Sequence, residues 1–287
     1  MFGRNNEDRL GTKMPQSDPP PLTPQNEETK SFEFAYSTPT EFVELPTKGR
    51  FYLEGHPLHG KDSVEIRFMT AKDEDILTSK ALLKKGVAID RMLENIILDK
   101  NLHPDDLVVG DKNAIIVAAR ISGYGSDYST NISCPQCETT VKYDFDLNEC
   151  GINYGQDSYP FDVEETEKHT FLVSLPTTGV KVEVRVLSGH DEKTLTLNSK
   201  RNQRHNLPES PLTDMFRLYI TSVNGNKDNS VINSFVDNMP AIDSRYLRSA
   251  YKKIAPNIDL SQQFECAECN YSQAMEVPFT SDFFWPK

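Results

Sequence analysis

VEIRFMTAKDEDILT, residues 64–78, and VEVRVLSGHDEKTLT, residues 182–196, decide how this chain folds. Val64, Glu65, Arg67, Asp73, Glu74, Leu77 and Thr78 of the first segment meet identical residues at Val182, Glu183, Arg185, Asp191, Glu192, Leu195 and Thr196 of the second. Each segment opens as a strand of alternating character and turns into a helix, with Thr70 as the capping residue of the first. Asp73 with Glu74, and Asp191 with Glu192, then fall in the first helical turn, where carboxylates suit the positive end of the helix dipole. Cap and dipole account for these doubled acids without assigning them catalysis.

The repetition extends outward from this stretch. Ile76, Leu77, Leu82 and Leu83, then Ile89, Met92, Leu93, Ile96 and Ile97, keep helical spacing on either side of Gly86, which predicts two helices. A third helix is expected over 113–121, stopped by Gly123 and Gly125, followed by a hairpin over 128–133 and 141–145 whose turn is CPQC. In the second copy Asp214, Phe216, Leu218 and Ile220 answer Asp90, Met92, Leu93 and Ile96. Cys266 and Cys269 in FECAECNYSQAMEV answer Cys134 and Cys137 in ISCPQCETTVKYDF. The expected fold is α+β, an internally duplicated strand-helix-helix-hairpin unit in a pseudo-twofold arrangement, since two copies of one unit tend to pack about such an axis. That packing would bring the two cysteine turns together. The predicted organisation is a flexible Pro-rich arm over 1–41, a first half-repeat over 42–147, an acidic linker over 148–168, and a second half-repeat over 169–287 with an aromatic C-terminal tail.

A C-x-x-C turn can point both sulfurs to one side of a hairpin, and its backbone amides favour the thiolates that Zn²⁺ requires. Cys134, Cys137, Cys266 and Cys269 therefore read as the ligands of one zinc-ribbon-like site, closed by four thiolates and so structural rather than catalytic. The long separation between the pairs is bridged by the duplication, which makes the two turns equivalent points. A redox C-x-x-C needs a helix N-terminus after a strand, whereas CPQC leads into ETTVKYDF, a strand pattern. Two separate metal sites and structural disulfides are the other readings. Cys150, alone in LNECGI, reads as a packed small residue. His56 and His59, in the loop EGHPLHG, could pair on a metal but read better as loop-tip residues.

Composition bounds the partners. With 287 residues the chain can bury a core unaided, and a net charge of -12 opposes binding to nucleic acid phosphates. MFGRNNEDRL has no apolar export signal, and no apolar run approaches the roughly 20 residues of a membrane span. Patterns for a P-loop, a G-x-S-x-G nucleophile or an H-E-x-x-H site are absent, and Gly123-Tyr124-Gly125 reads as a helix terminator, so no enzyme and no small-molecule substrate are expected. Protein partners remain. Phe283, Phe284 and Trp285 in FTSDFFWPK must be covered, either by this chain's own core or by a neighbouring subunit, which makes them a candidate partner contact. A zinc-ribbon nucleic-acid binder and a C-x-x-C thiol oxidoreductase are the alternative functions.

The runs ELPTKGRFY, VEIRFMTAKDEDILTS, KGVAIDRMLENIILDK, VVGDKNAIIVAARISGYG and ISCPQC, closing with DFFWP, resemble the baseplate hub subunits of T4-like tailed bacteriophages. The likeness covers about 42–287, with DEDILTS and GDKNAIIVAARISGYG its most specific parts, and leaves the arm aside. It implies a structural component or assembly factor of the tail baseplate hub, made in the bacterial host cytoplasm and joined to other tail proteins of the virion. The zinc site is no part of the resemblance and rests on spacing and duplication.

Overall fold

A computed structural model describes residues 37–155, 161–278 and 281–284. Residues from Thr38 onward make one compact unit. Strand β1 (Thr40–Glu44) pairs antiparallel with β2 (Ser63–Arg67), setting Val43 opposite Val64. The alternation read from sequence decides the faces: Val64 and Ile66 are buried while Glu65 and Arg67 are only half covered. Between the strands, Leu45-Pro46-Thr47 turns back, and the Thr47 amide and hydroxyl donate to the buried Asp111 carboxylate at 3.0 and 2.6 Å.

Helix α1 (Ala71–Thr78) starts at a capping box in which Thr70 and Asp73 exchange hydrogen bonds. Ser79 interrupts it, so α2 (Lys80–Lys85) is separate, and α3 (Ala88–Ile96) follows Gly86. Three short helices thus replace the two expected. Helix α4 (Val109–Tyr124) begins four residues before the predicted start and runs through Gly123, ending at Gly125. The early start has a cause in Asp111: its carboxylate serves the Thr47 turn and the Tyr52 hydroxyl, which fixes the first turn of α4 in the core. Strands β3 (Asp127–Ser133) and β4 (Thr140–Asp146) form the expected hairpin.

The stretch expected as a linker, 148–168, carries two short strands among its described residues, β5 (Gly151–Asn153) and β6 (Val163–Glu165). Strand β6 edges a four-stranded antiparallel sheet with β7 (Phe171–Ser174), β8 (Lys181–Val184) and β9 (Ile220–Val223). Between β8 and β9 lie α5 (Gly189–Arg204), capped by a Ser188–Asp191 box, and α6 (Pro211–Tyr219). Helices α7 (Asn229–Asn238) and α8 (Ala241–Ile254) lead to β10 (Asn257–Asp259), which pairs with β5, and to the hairpin β11 (Ser261–Glu265) with β12 (Ser272–Glu276).

Two apolar cores result. One gathers the β1–β2 ribbon, α3, α4 and both cysteine hairpins, and it takes Leu260, Phe264, Val277, Phe283 and Phe284 from the end of the chain. The other lies between the β7–β8–β9 strands and α6, α7 and α8. The cores therefore do not divide where the sequence halves divide. They are joined by backbone: the Val109 amide donates to the Leu187 carbonyl at 2.9 Å and the Gly189 amide to the Leu107 carbonyl at 2.8 Å. Such close contact demands glycine, because a Cβ on Gly189 would stand 2.6 Å from the Pro104 carbonyl oxygen and one on Gly110 would collide with that of Pro256.

Candidate metal centre

The β3–β4 and β11–β12 hairpins lean together along an aromatic seam. Tyr143 packs edge-on to Phe264 with ring centroids 5.1 Å apart, and its hydroxyl donates to the Gln263 carbonyl at 2.8 Å. From the other side Gln262 Nε2 donates to the Asp146 carbonyl at 2.6 Å. This contact sets the two turns tip to tip. Cys134 Sγ then lies 3.7 Å from Cys269 Sγ and Cys137 Sγ 3.8 Å from Cys266 Sγ, with all four sulfurs within 4.8 Å of one another.

Both turns have the same internal construction. The Cys134 amide donates to the Thr139 carbonyl at 2.9 Å and the Glu138 amide to the Cys134 carbonyl at 2.9 Å; the matching bonds run from Cys266 to Tyr271 at 2.8 Å and from Asn270 to Cys266 at 2.9 Å. Glu138 and Asn270, each directly after the second cysteine of its pair, adopt left-handed conformations with φ of 59° and 55°. Cys134 and Cys266 are buried, Cys137 is half-buried and Cys269 reaches the surface. Neither pair stands at a helix N-terminus, the position the redox reading needs.

Sulfurs 3.7 Å apart are far from the roughly 2.05 Å of a disulfide. They match a tetrahedral ion instead, because ligands about 2.3 Å from a common centre stand about 3.8 Å from each other. The four thiols also compete for charge. The hydroxyl and amide of Thr139 pull the Cys137 thiol down to about 6, helped by Cys269 and Cys134. At Cys269 the Tyr271 amide pulls downward, but desolvation and the three other thiols outweigh it and push the thiol up to about 12. Neighbouring thiolates cannot all ionise without a cation between them. Among the described residues this is the one cluster of its kind able to hold a metal ion.

The other sequence candidates lie elsewhere. Cys150 is half-buried and accepts from Gln262 Nε2 at 3.7 Å, outside the cluster. His56 lies in its loop, half-exposed, where it stacks on Tyr52 with centroids 4.4 Å apart and its Nδ1 accepts from the Leu58 amide at 3.1 Å. His59 Nδ1 bonds the Tyr52 carbonyl at 2.7 Å, so the two histidines serve the loop separately. Asp73 and Asp191 cap their helices as expected and carry a partner that pattern reading missed. Arg67 grips Asp73 through two nitrogens at 2.6 and 3.0 Å, and Arg185 grips Asp191 at 2.8 and 2.7 Å. Identity of both arginines across the two segments was the available signal. Phe283 and Phe284 are buried in this chain's own core, Phe283 edge-on to Tyr128 at 5.2 Å, while Trp285 lies outside the described residues.

Arg120 secures that C-terminal turn. It is fully buried, and its guanidinium donates to the carbonyls of Phe283 at 2.6 Å, Asp127 at 2.9 Å and Gly125. Burial pulls its pKa down, against the pull of Tyr124 and Tyr128. The cysteine hairpins, the C-terminal turn and α4 thus form one connected block.

The family model described as T4 bacteriophage base plate protein matches residues 40–285, beginning at the first residue of β1. The chain belongs to that family. No curated protein and no solved structure matches it. As a baseplate protein it is a component of a phage tail, whose work is contact with other tail proteins, and membership of a structural family points away from catalysis. Among the described residues no helix of this baseplate protein is long and apolar enough to cross a membrane.

Proposed function

We propose that this baseplate protein is a structural or assembly component of the tail hub, built in the host cytoplasm, and that Cys134, Cys137, Cys266 and Cys269 hold one structural Zn²⁺ tying its mid-chain and C-terminal hairpins together. The observation that carries the metal is the tetrahedral spacing of sulfurs contributed by hairpins remote in sequence. Closed by four thiolates, such an ion has no open position for substrate, so it contributes folding energy rather than chemistry. Most of the binding energy would go into holding β3–β4 against β11–β12, which neither hairpin could do alone. The hub assignment follows the sequence resemblance and narrows the family match.

Internal duplication is part of the same proposal, with half-repeats at 42–147 and 169–287. Its support is a set of matching contacts that share no residues. Leu45-Pro46-Thr47 caps onto Asp111 in α4, and Leu175-Pro176-Thr177 onto Asp243 in α8, where the amides of Thr177 and Thr178 donate at 2.9 and 3.0 Å. The Arg67–Asp73–Thr70 grip has its twin in Arg185–Asp191–Ser188. From Asp111 through Cys134 and Glu138 one constant offset in numbering leads to Asp243, Cys266 and Asn270. Strand pairing also refines the match of the middle helices. Ile66 bridges Ile97 as Val184 pairs with Ile220, which favours Leu93 with Phe216 and Ile96 with Tyr219 over the alignment of Ile96 with Ile220. A role for the C-terminal aromatics as a partner contact passes to Trp285, since Phe283 and Phe284 are occupied internally.

The test is metal analysis of protein purified without added metal, with incorporation into tail intermediates followed by co-sedimentation. One zinc per chain, lost on substitution of any of the four cysteines to serine, supports the site. Metal-free protein that cycles between dithiol and disulfide contradicts it, and a folded, zinc-loaded chain that never enters tail intermediates contradicts the hub role.

A further inference from the structure

Helix α2, KALLKK, has no buried residue. Across a groove from it runs α5, whose Leu197 is 61% exposed; Leu83 of α2 itself is 45% exposed and Ile89 of α3 40%. These residues line an open groove of about 520 Å³ between the α2–α3 turn and α5, floored by Ile116 of α4 and Phe284. The exposed part of these side chains gains nothing in the free chain, since that apolar surface stays in water.

The free charge in the groove is positive. The carboxylates within it, Asp90 and Glu192, are both spent on Lys112, at 2.9 and 3.1 Å. Lys193 is held by Asp105 at 2.6 Å. Lys85 and Lys200 have no ion-pair partner among the described residues, and Lys200 Nζ instead donates to the Lys85 carbonyl at 3.1 Å. A protein of net charge -12 thus keeps uncompensated positive charge beside exposed leucines. A trough walled by helices and floored by an apolar helix face accepts another helix by side-chain interdigitation.

We infer that this groove docks an acidic amphipathic helix of another protein, its apolar stripe on Leu83, Ile89 and Leu197 and its carboxylates on Lys85 and Lys200. The apolar lining disfavours nucleic acid, which would seek phosphate contacts and stacking platforms instead. The inference rests on the reading of the chain as a protein-binding component and is independent of the metal.

The probe is a labelled synthetic helix of about 18 residues, long enough to hold helical structure, with leucines at i, i+3, i+4 and i+7 and glutamates flanking them. Binding to the full-length, metal-loaded protein is read by fluorescence anisotropy. The acidic helix should bind and weaken with salt, and a lysine-for-glutamate counterpart should bind at least about tenfold less tightly. Leu83→Asp, Leu197→Asp, and Lys85→Glu combined with Lys200→Glu should each cost about tenfold or more, while Leu53→Asp, at an 85% exposed site outside the groove, should cost nothing. Equal binding of both helices, indifference to the groove substitutions, preference for duplex DNA, or self-association through this face would each overturn the inference. So would a red shift of Trp285, the only tryptophan, on Leu83→Asp without peptide, since the chain's own C-terminus would then fill the groove. Failure here with normal incorporation into tail intermediates would leave the hub reading intact.

Discussion

Cys137 and Cys266 are 129 residues apart in the chain and 3.8 Å apart at their sulfurs. Nothing in either hairpin alone imposes this meeting. It depends on the Tyr143–Phe264 seam and on the backbone joints between α4 and α5, so an ion shared by the four sulfurs would report on the assembly of the whole chain.

Metal removal should therefore loosen both hairpins together. Chelation, or Cys134→Ser, is expected to lower the unfolding temperature and to raise hydrogen exchange in β3–β4 and β11–β12 alike, with β7–β8–β9 least affected. Exchange confined to one hairpin would mean that the turns do not share an ion.

The two arginine grips differ in burial, and their substitutions should differ with them. Asp73 is 0% exposed at its side chain and Arg67 18%, against 10% for Asp191 and 36% for Arg185. Arg67→Ala strands a buried carboxylate and is expected to cost about 3 kcal/mol, whereas Arg185→Ala leaves one that water can reach and should cost about 1 kcal/mol. Denaturant unfolding of the two variants measures the difference. Equal costs would contradict the ranking.

Acid should expose the same grip. Burial alone would raise the Asp73 pKa, but Arg67, the Thr70 amide and hydroxyl and the Asn95 amide outweigh it and hold it at about 2, below the ordinary 3.8. A lowered carboxylate stabilises the fold above its unfolded pKa, and that contribution disappears as pH falls from about 4 through about 2. The slope of stability against pH in this window should be shallower in Asp73→Asn, as followed by circular dichroism in denaturant titrations at successive pH values.

Much of this was legible in residues 64–78 and 182–196. Strand, cap and acidic first turn were all there, because alternation and capping are local properties. The cysteine turns were legible for the same reason. Asp111, Arg120 and Asp243 were not, since each acts through carbonyls, amides or hydroxyls of distant segments and leaves no periodic trace. The partnership of β5 with β10 and of β6 with β7 was hidden because β5, β6 and β10 are three-residue strands whose pairing only the assembled chain defines.

The left-handed residues of the cysteine turns offer a gain of stability. Glu138 pays for φ of 59° with side-chain crowding, whereas Asn270 tolerates 55° better. Glu138→Gly should stabilise the metal-loaded protein by about 1 kcal/mol and Asn270→Gly by less, read from unfolding midpoints. Destabilisation by Glu138→Gly would mean that the carboxylate has a role the turn geometry does not explain.

Arg120 ties the C-terminal turn, at the Phe283 carbonyl, to the α4–β3 junction, at the Gly125 and Asp127 carbonyls. Arg120→Met keeps the apolar stem and removes the donors to all three carbonyls, of which the bond to Phe283 is buried, at a cost of about 2 kcal/mol. Faster carboxypeptidase digestion past Phe284 should accompany the loss. Unchanged digestion would show that packing of Phe283 and Phe284 suffices.

X-ray absorption at the zinc edge tests the central claim most directly. Four sulfur neighbours at about 2.3 Å around one zinc per chain are the expected result. Two sulfurs with nitrogen or oxygen neighbours, two ions per chain, or no zinc at all would contradict the convergence of the two hairpins on a common ion.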